Sequence, residues 1–171
     1  MKKGLKNTAV LVAICAVMAL LMAITNFITA PVIAENEAKA TEAALQEVMP
    51  EGRDFVAVAL DDTLPVTVTE AYREANGGFV FKLKTAGYGP NMIIMCGVDA
   101  NGKVTGVVCL SSNETLGHEK EFGSRFVGLD STGAAAVDTV AGATKTTAAY
   151  RAAMSDALTA AATLRERGEG K

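Results

Sequence analysis

Met92-Ile93-Ile94-Met95-Cys96-Gly97-Val98, then Asp99-Ala100-Asn101-Gly102-Lys103, then Val104-Thr105-Gly106-Val107-Val108-Cys109-Leu110, is the stretch on which the fold turns. Two apolar runs flank an Asn-Gly step, the dipeptide that tight hairpins favour, so the stretch reads as strand, turn, strand. Met92-Ile93-Ile94-Met95-Cys96 is apolar throughout rather than alternating, which places it at the centre of a sheet with both faces covered. The turn would pair Cys96 with a residue near Thr105, leaving Cys109 several residues out of register for a disulfide. Both are expected to be buried free thiols, and no CxxC or Cys/His cluster points to a metal.

Working outward, residues 66–73 and Phe79–Thr85 have the same strand character. Asn76-Gly77-Gly78 separates them as a hairpin break, and Gly87-Tyr88-Gly89-Pro90 marks a longer corner before the central strand. Four strands in this order predict an antiparallel meander. After it comes a polar loop, Ser111-Ser112-Asn113-Glu114-Thr115-Leu116-Gly117-His118, leaving a core strand, a place that suits ligand contacts. A short helix is expected over 119–127. A glycine-containing approach over 137–144 leads into a last helix, 146 to about 167, whose apolar stripe includes Ala149, Ala153, Ala157 and Leu164.

The other end of the chain has a different solvent. Half of the 171 residues are hydrophobic, yet only 5% are aromatic, and the excess is concentrated at the start. Residues 9–24 carry no polar side chain, and 7–34 carry no charge. A helix needs about 20 apolar residues to cross a hydrocarbon core, so this segment is expected to be a single transmembrane anchor rather than a cleaved signal peptide, whose apolar core is shorter. Lys2, Lys3 and Lys6 precede it, which puts the N-terminus in the cytoplasm and everything after it outside. Residues 35–49 have good helix composition, stopped by Pro50 and Gly52, and read as a solvated spacer that continues the anchor helix or kinks away at Pro31.

Setting aside those three lysines, the formal net charge of −3 becomes −6 on residues 35–171. An acidic domain does not release phosphate counterions, so nucleic acid is excluded as a partner. About 120 residues beyond the anchor suffice for one compact domain and are too few for two. The expected layout is cytoplasmic N-terminus and anchor over 1–34, juxtamembrane helix over 35–50, and an extracytoplasmic domain over 51–171. The fold class is α+β, an antiparallel sheet flanked by helices.

The chemistry concentrates in Asp138-Thr139-Val140-Ala141-Gly142-Ala143-Thr144-Lys145-Thr146-Thr147. A loop of small residues runs into a helix start, where unpaired backbone N–H groups and the positive end of the helix dipole favour an anion such as phosphate. The plainer alternative is that Thr144, Thr146 or Thr147 caps the helix.

The run Asp138-x-x-Ala141-Gly142-Ala143-Thr144 resembles the flavinylation motif, Asp-x-x-(Ser/Thr)-Gly-Ala-Thr, of the FMN-binding domain family found in the G subunit of the Rnf electron-transport complex and the C subunit of the sodium-translocating NADH:quinone reductase. Leu45-Gln46-Glu47-Val48-Met49-Pro50-Glu51-Gly52, Gly87-Tyr88-Gly89, Gly97-Val98-Asp99-Ala100-Asn101-Gly102-Lys103-Val104 and Asn113-Glu114-Thr115-Leu116-Gly117 resemble family segments in the same order, as does Asn26-Phe27-Ile28-Thr29-Ala30-Pro31 at the anchor's end. Two positions depart from the pattern. Ala141 stands where the family has Ser or Thr, and Leu116 where it has proline.

The resemblance implies FMN attached through its phosphate to the Thr144 hydroxyl, with Gly142, Ala143, Lys145 and Thr146 around it. It places Glu114, Thr115, Leu116 and Gly117 near the isoalloxazine ring, with Tyr88 and Met92 as weaker candidates, and gives Asp138 to recognition by an FAD- and magnesium-dependent flavin transferase. A threonine hydroxyl is a poor nucleophile without an activating base, and the motif contains none, so an external transferase is expected. His118, the single histidine, could tune the flavin or transfer a proton near neutral pH. The resemblance further implies an electron carrier in the inner membrane, one member of an ion-translocating ferredoxin:NAD+ oxidoreductase alongside its other membrane subunits, rather than a complete enzyme. No dinucleotide fingerprint is present. The alternatives are a standalone anchored flavoprotein serving extracellular acceptors, and a non-redox anchored binding module.

Overall fold

The computed structural model describes residues 2–114, 117 and 119–168, which fall into two units divided between Thr41 and Glu42. The first is helical throughout, part of α1 (Lys2–Val48). Helix α1 is long and apolar enough to cross a membrane over Asn7–Val48, and its apolar side chains, among them Leu11, Leu20, Met22 and Ile28, are exposed. Thr25 and Thr29 donate their hydroxyls to the carbonyls of Leu21 and Thr25, each at 2.9 Å. These back-bonds satisfy two polar groups within the helix itself, as lipid requires. Pro31 lies inside the helix.

The second unit is the α+β domain. Its elements are β1 (Val56–Val58), β2 (Val68–Arg73), β3 (Phe79–Thr85), β4 (Met92–Val98), β5 (Val104–Ser111), α2 (Glu119–Phe122), a 3-10 turn (Gly123–Phe126), α3 (Ser131–Ala135) and α4 (Thr144–Glu166). The five strands form one sheet in chain order, antiparallel at every step. The meander therefore stands, with one strand more at its edge. The helix expected over 119–127 is a single α turn followed by the 3-10 turn. The last helix begins at Thr144, two residues earlier than its composition suggested.

Strand β4 is covered on both faces, as its unbroken apolar run demanded. Met92, Ile94, Cys96 and Val98 point with Phe79, Phe81 and Leu83 into a core closed by Tyr150, Ala153, Met154, Ala157, Ala161 and Leu164 of α4. Phe122 and Phe126 pack edge and face against Tyr150, with ring centroids 5.7 and 6.1 Å away. Each large side chain so buried contributes about 1.5–3 kcal/mol, and the alanines of α4 let its backbone approach the sheet. Helix α4 is also pinned along its length. Thr67 donates to Asp156 at 2.6 Å, Arg165 donates to the Asp99 carbonyl, and Arg167 pairs with Asp61 at 2.7 Å.

The opposite face corrects the spacer reading. Ala44, Leu45, Val48 and Met49, at the end of α1 and just beyond it, are buried against Val80 and Met95. The Ala, Glu and Lys composition of this segment conceals a short apolar face. Its docking uses glycine. Gly97 and Gly106 are partners across β4 and β5, and a Cβ on Gly106 would lie 2.6–2.9 Å from Val48 backbone atoms. Thr105 donates to the Val48 carbonyl at 2.6 Å, giving the helix C-terminus an acceptor's partner.

The cysteine pairing also differs in detail. Cys96 faces Val107 rather than a residue near Thr105, and Cys109 faces Ile94, because the β4–β5 ladder is irregular beside Gly97 and again beside Ile93. The two are not opposite one another, and while Cys96 is buried as expected, Cys109 is only partly so. Burial pushes Cys96 up to about 12.

Candidate functional site

Residues 141–142 form a turn, and Gly142 has φ +86° with nothing within 4 Å of the position a Cβ would take. That left-handed conformation favours glycine, and the space beside it is open. Ala143 then serves as N-cap of α4 without any side-chain capping bond, and no acidic residue occupies the first turn. The threonine-cap alternative is thereby corrected, because an alanine holds the capping position. The helix start keeps the N–H groups and dipole that an anion can use.

Three threonines share the first turn, and their hydroxyls are disposed differently. Thr147 is fully buried. Its Oγ1 accepts from Val140 N at 3.1 Å and donates to the Ala143 carbonyl at 3.0 Å, tying the loop to the helix. Thr146, 5% exposed, donates its hydroxyl to Glu114 Oε2. Thr144 is exposed, and the nearest acceptor of its hydroxyl, the Val140 carbonyl, stands 3.5 Å away, at the limit of a hydrogen bond. Lys145 beside it is exposed too. Of the three hydroxyls, Thr144 alone is offered to an incoming group.

Glu114 joins this turn to the β3–β4 corner. Besides Thr146, its carboxylate accepts from Tyr88 N at 3.3 Å and from Gly89 N at 3.0 Å. Asn113 Nδ2 donates to the Pro90 carbonyl at 3.1 Å. The glycines here are required by contact. A Cβ on Gly87 would lie 2.7 Å from Glu114 Oε1 and 2.9 Å from Thr146 Cα, and one on Gly89 would lie 2.6 Å from the Asn113 carbonyl oxygen.

The structure thus brings Thr144, Gly142, Ala143, Lys145, Thr146 and Glu114 to one end of the sheet. Gly117 is exposed at φ +69°, and Asp138 is exposed ahead of the loop. Met92 is fully buried in the core. Thr115, Leu116 and His118 lie outside the described residues. The link from Glu114 to Thr146 spans 32 positions, and no local spacing in the sequence announces it.

In an α+β domain that follows a helix long and apolar enough to cross a membrane, an exposed hydroxyl beside the free N–H groups of a helix start is an arrangement that can take a phosphorylated ligand. Two family models match, the RnfG N-terminal region over residues 1–48 and the FMN-binding domain over 87–159. Among curated proteins, the chain is 34% identical to the G subunit of the Na(+)-translocating ferredoxin:NAD(+) oxidoreductase complex of Acetobacterium woodii, across 63% of this chain and 59% of that relative. The chain spans less than two thirds of that relative's length. These matches give the chain an RnfG-type N-terminal region followed by an FMN-binding domain. The site's features fit FMN, since Gly142 leaves room, Lys145 is exposed beside Thr144, and the neighbouring Glu114 carboxylate is engaged by Thr146 and by the Tyr88 and Gly89 amides.

Proposed function

We propose that this protein is the electron-carrying G subunit of an ion-translocating Rnf-type complex, with FMN joined through its phosphate to Thr144. The observation that carries the attachment site is the disposition of the three first-turn hydroxyls, of which Thr146 and Thr147 are buried and engaged while Thr144 is exposed. Bound flavin supplies reversible one- and two-electron chemistry. The chain's part is to hold it: the start of α4 and Lys145 take the phosphate charge, and covalent linkage keeps the cofactor on a protein facing the outside.

Attachment needs a partner. In the proposed step Thr144 Oγ1 forms the new bond to the FMN phosphorus of FAD, the pyrophosphate bond breaks, AMP leaves, and the hydroxyl proton passes to a base of the flavin transferase, with magnesium on the phosphates. Asp138, exposed before the loop, is assigned to recognition by that enzyme. The three lysines before the span set the N-terminus in the cytoplasm and the domain outside the inner membrane.

Intact mass of the full chain coexpressed with a flavin transferase tests the reading. One FMN is expected on the wild type and on Thr144→Ser, and none on Thr144→Val; FMN retained by Thr144→Val overturns it. Copurification with polytopic membrane proteins is expected of a complex member, and its absence would favour a standalone carrier.

A further inference from the structure

We propose that Tyr88 is the stacking face for the isoalloxazine ring, held beside the flavin-bearing turn by Glu114; this rests on the reading of Thr144 as the site of attachment. Tyr88 is 76% exposed, and among the described residues beyond Thr41 it is the only aromatic side chain in the exposed class. Phe79, Phe81, Phe122, Phe126 and Tyr150 are all in the core. A phenol ring left in water at a loop tip contributes nothing to the fold.

Its backbone, however, is tied down by hydrogen bonds. The amides of Tyr88 and Gly89 both donate to Glu114, Asn113 donates to the Pro90 carbonyl, and Gly89 lies against the Asn113 backbone. A corner held by these three bonds, presenting an uncovered ring, is preorganised for something outside the fold. Position identifies the occupant. Gly87 is packed on the Thr146 backbone, so the Tyr88 loop touches the turn of α4 that begins at Thr144, and Glu114 bonds to both sides of that contact. A cofactor tethered at Thr144 carries a flat conjugated ring on a flexible arm, and such a ring stacks offset on an aromatic face. The two glycines are what let the loop come this close.

Fluorescence of the oxidised flavin on the full chain in detergent decides the matter. A stacked phenol gives its electron to the photoexcited flavin and takes it back, so stacking is read as a short-lifetime component with no net chemistry. With one FMN attached by mass, Tyr88→Leu should lower the ratio of short to long component about fivefold, the loss expected for one aromatic pair. Tyr88→Phe should keep the flavin's visible circular dichroism, which reports stacking geometry, while lengthening the lifetime. Glu114→Gln should move the ratio toward that of Tyr88→Leu. Unchanged lifetimes in a Tyr88→Leu chain that carries FMN overturn the proposal and leave the Thr144 reading intact, and unchanged lifetimes in Glu114→Gln overturn the holding role. A wild-type chain without FMN overturns both the proposal and the reading beneath it.

Discussion

Thr144, Thr146 and Thr147 carry the same hydroxyl on one helical turn, and their surroundings give them three uses: exposed, bonded to Glu114, and buried as the loop's fastener. The fastener can be measured. Thr147→Val leaves Val140 N without its acceptor, and an unsatisfied buried donor costs about 1–3 kcal/mol, so the urea midpoint should fall, whereas Thr147→Ser should stay near wild type. A second group of residues titrates. Glu70 accepts from Lys82 at 2.7 Å and from Tyr72 at 2.6 Å. Burial pushes Glu70 up, and these two bonds outweigh it, leaving its carboxyl below the ordinary range. Burial, then the bond to Glu70, pushes Tyr72 up to about 12. Tyr72 has the higher value when folded, so its contribution is complete below its ordinary value near 10 and is lost as pH rises through about 12. Glu70 has the lower value when folded, so its contribution is present above the ordinary carboxylate range and lost as pH falls through the folded value. Stability measured against pH should fall at both ends, and Tyr72→Phe should flatten the alkaline fall. The motif around Thr144 was legible because its residues are contiguous; the role of Glu114 was not, because its partners Tyr88, Gly89 and Thr146 are remote in sequence.

Among the elements, the seat of α1 on the sheet makes the firmest prediction. Gly106 presents bare backbone to Val48, and a methyl there would meet atoms that cannot rotate away. Gly106→Ala should therefore cost about 1–3 kcal/mol as an overpacked contact, read as a lower unfolding midpoint by circular dichroism. Strands β2 to β5 were readable from sequence to within two residues because Asn-Gly and Gly-Tyr-Gly-Pro breaks bracket β-branched and apolar runs. Strand β1 was not, since Val56–Val58 is three residues long and is recruited by pairing with β2. Helix α3 escaped for a like reason: Ser131–Ala135 is a single turn containing Gly133, held by an Asp130 cap that accepts from Gly133 N at 2.9 Å. The buried end of α1 escaped because its apolar side chains are few and set among Glu and Lys.

For the whole molecule, orientation across the membrane is testable with a cysteine at an exposed point of the domain. Val66 is 99% exposed, so Val66→Cys should be labelled in intact cells, or in spheroplasts, by a membrane-impermeant maleimide. Cys96, buried with its thiol held near 12, should stay silent until the domain unfolds. The clasp at the C-terminus is testable by truncation. Deleting residues 164–171 removes fully buried Leu164 together with Arg165 and Arg167, and loss of one such core side chain alone costs about 2–5 kcal/mol. The truncated chain should carry less FMN by mass although its attachment motif is whole.

That last expectation follows from the order in which the chain is made. Each strand of the meander pairs with the one synthesised just before it, so the sheet can grow edge by edge from a nascent chain. Its α4-facing side must wait, because the helix that covers Phe79, Phe81, Met92 and Ile94 emerges only after all five strands. Thr144 opens that same helix. Its hydroxyl reaches its final setting only when α4 has packed on the sheet, so attached cofactor would serve as a timestamp of that docking step.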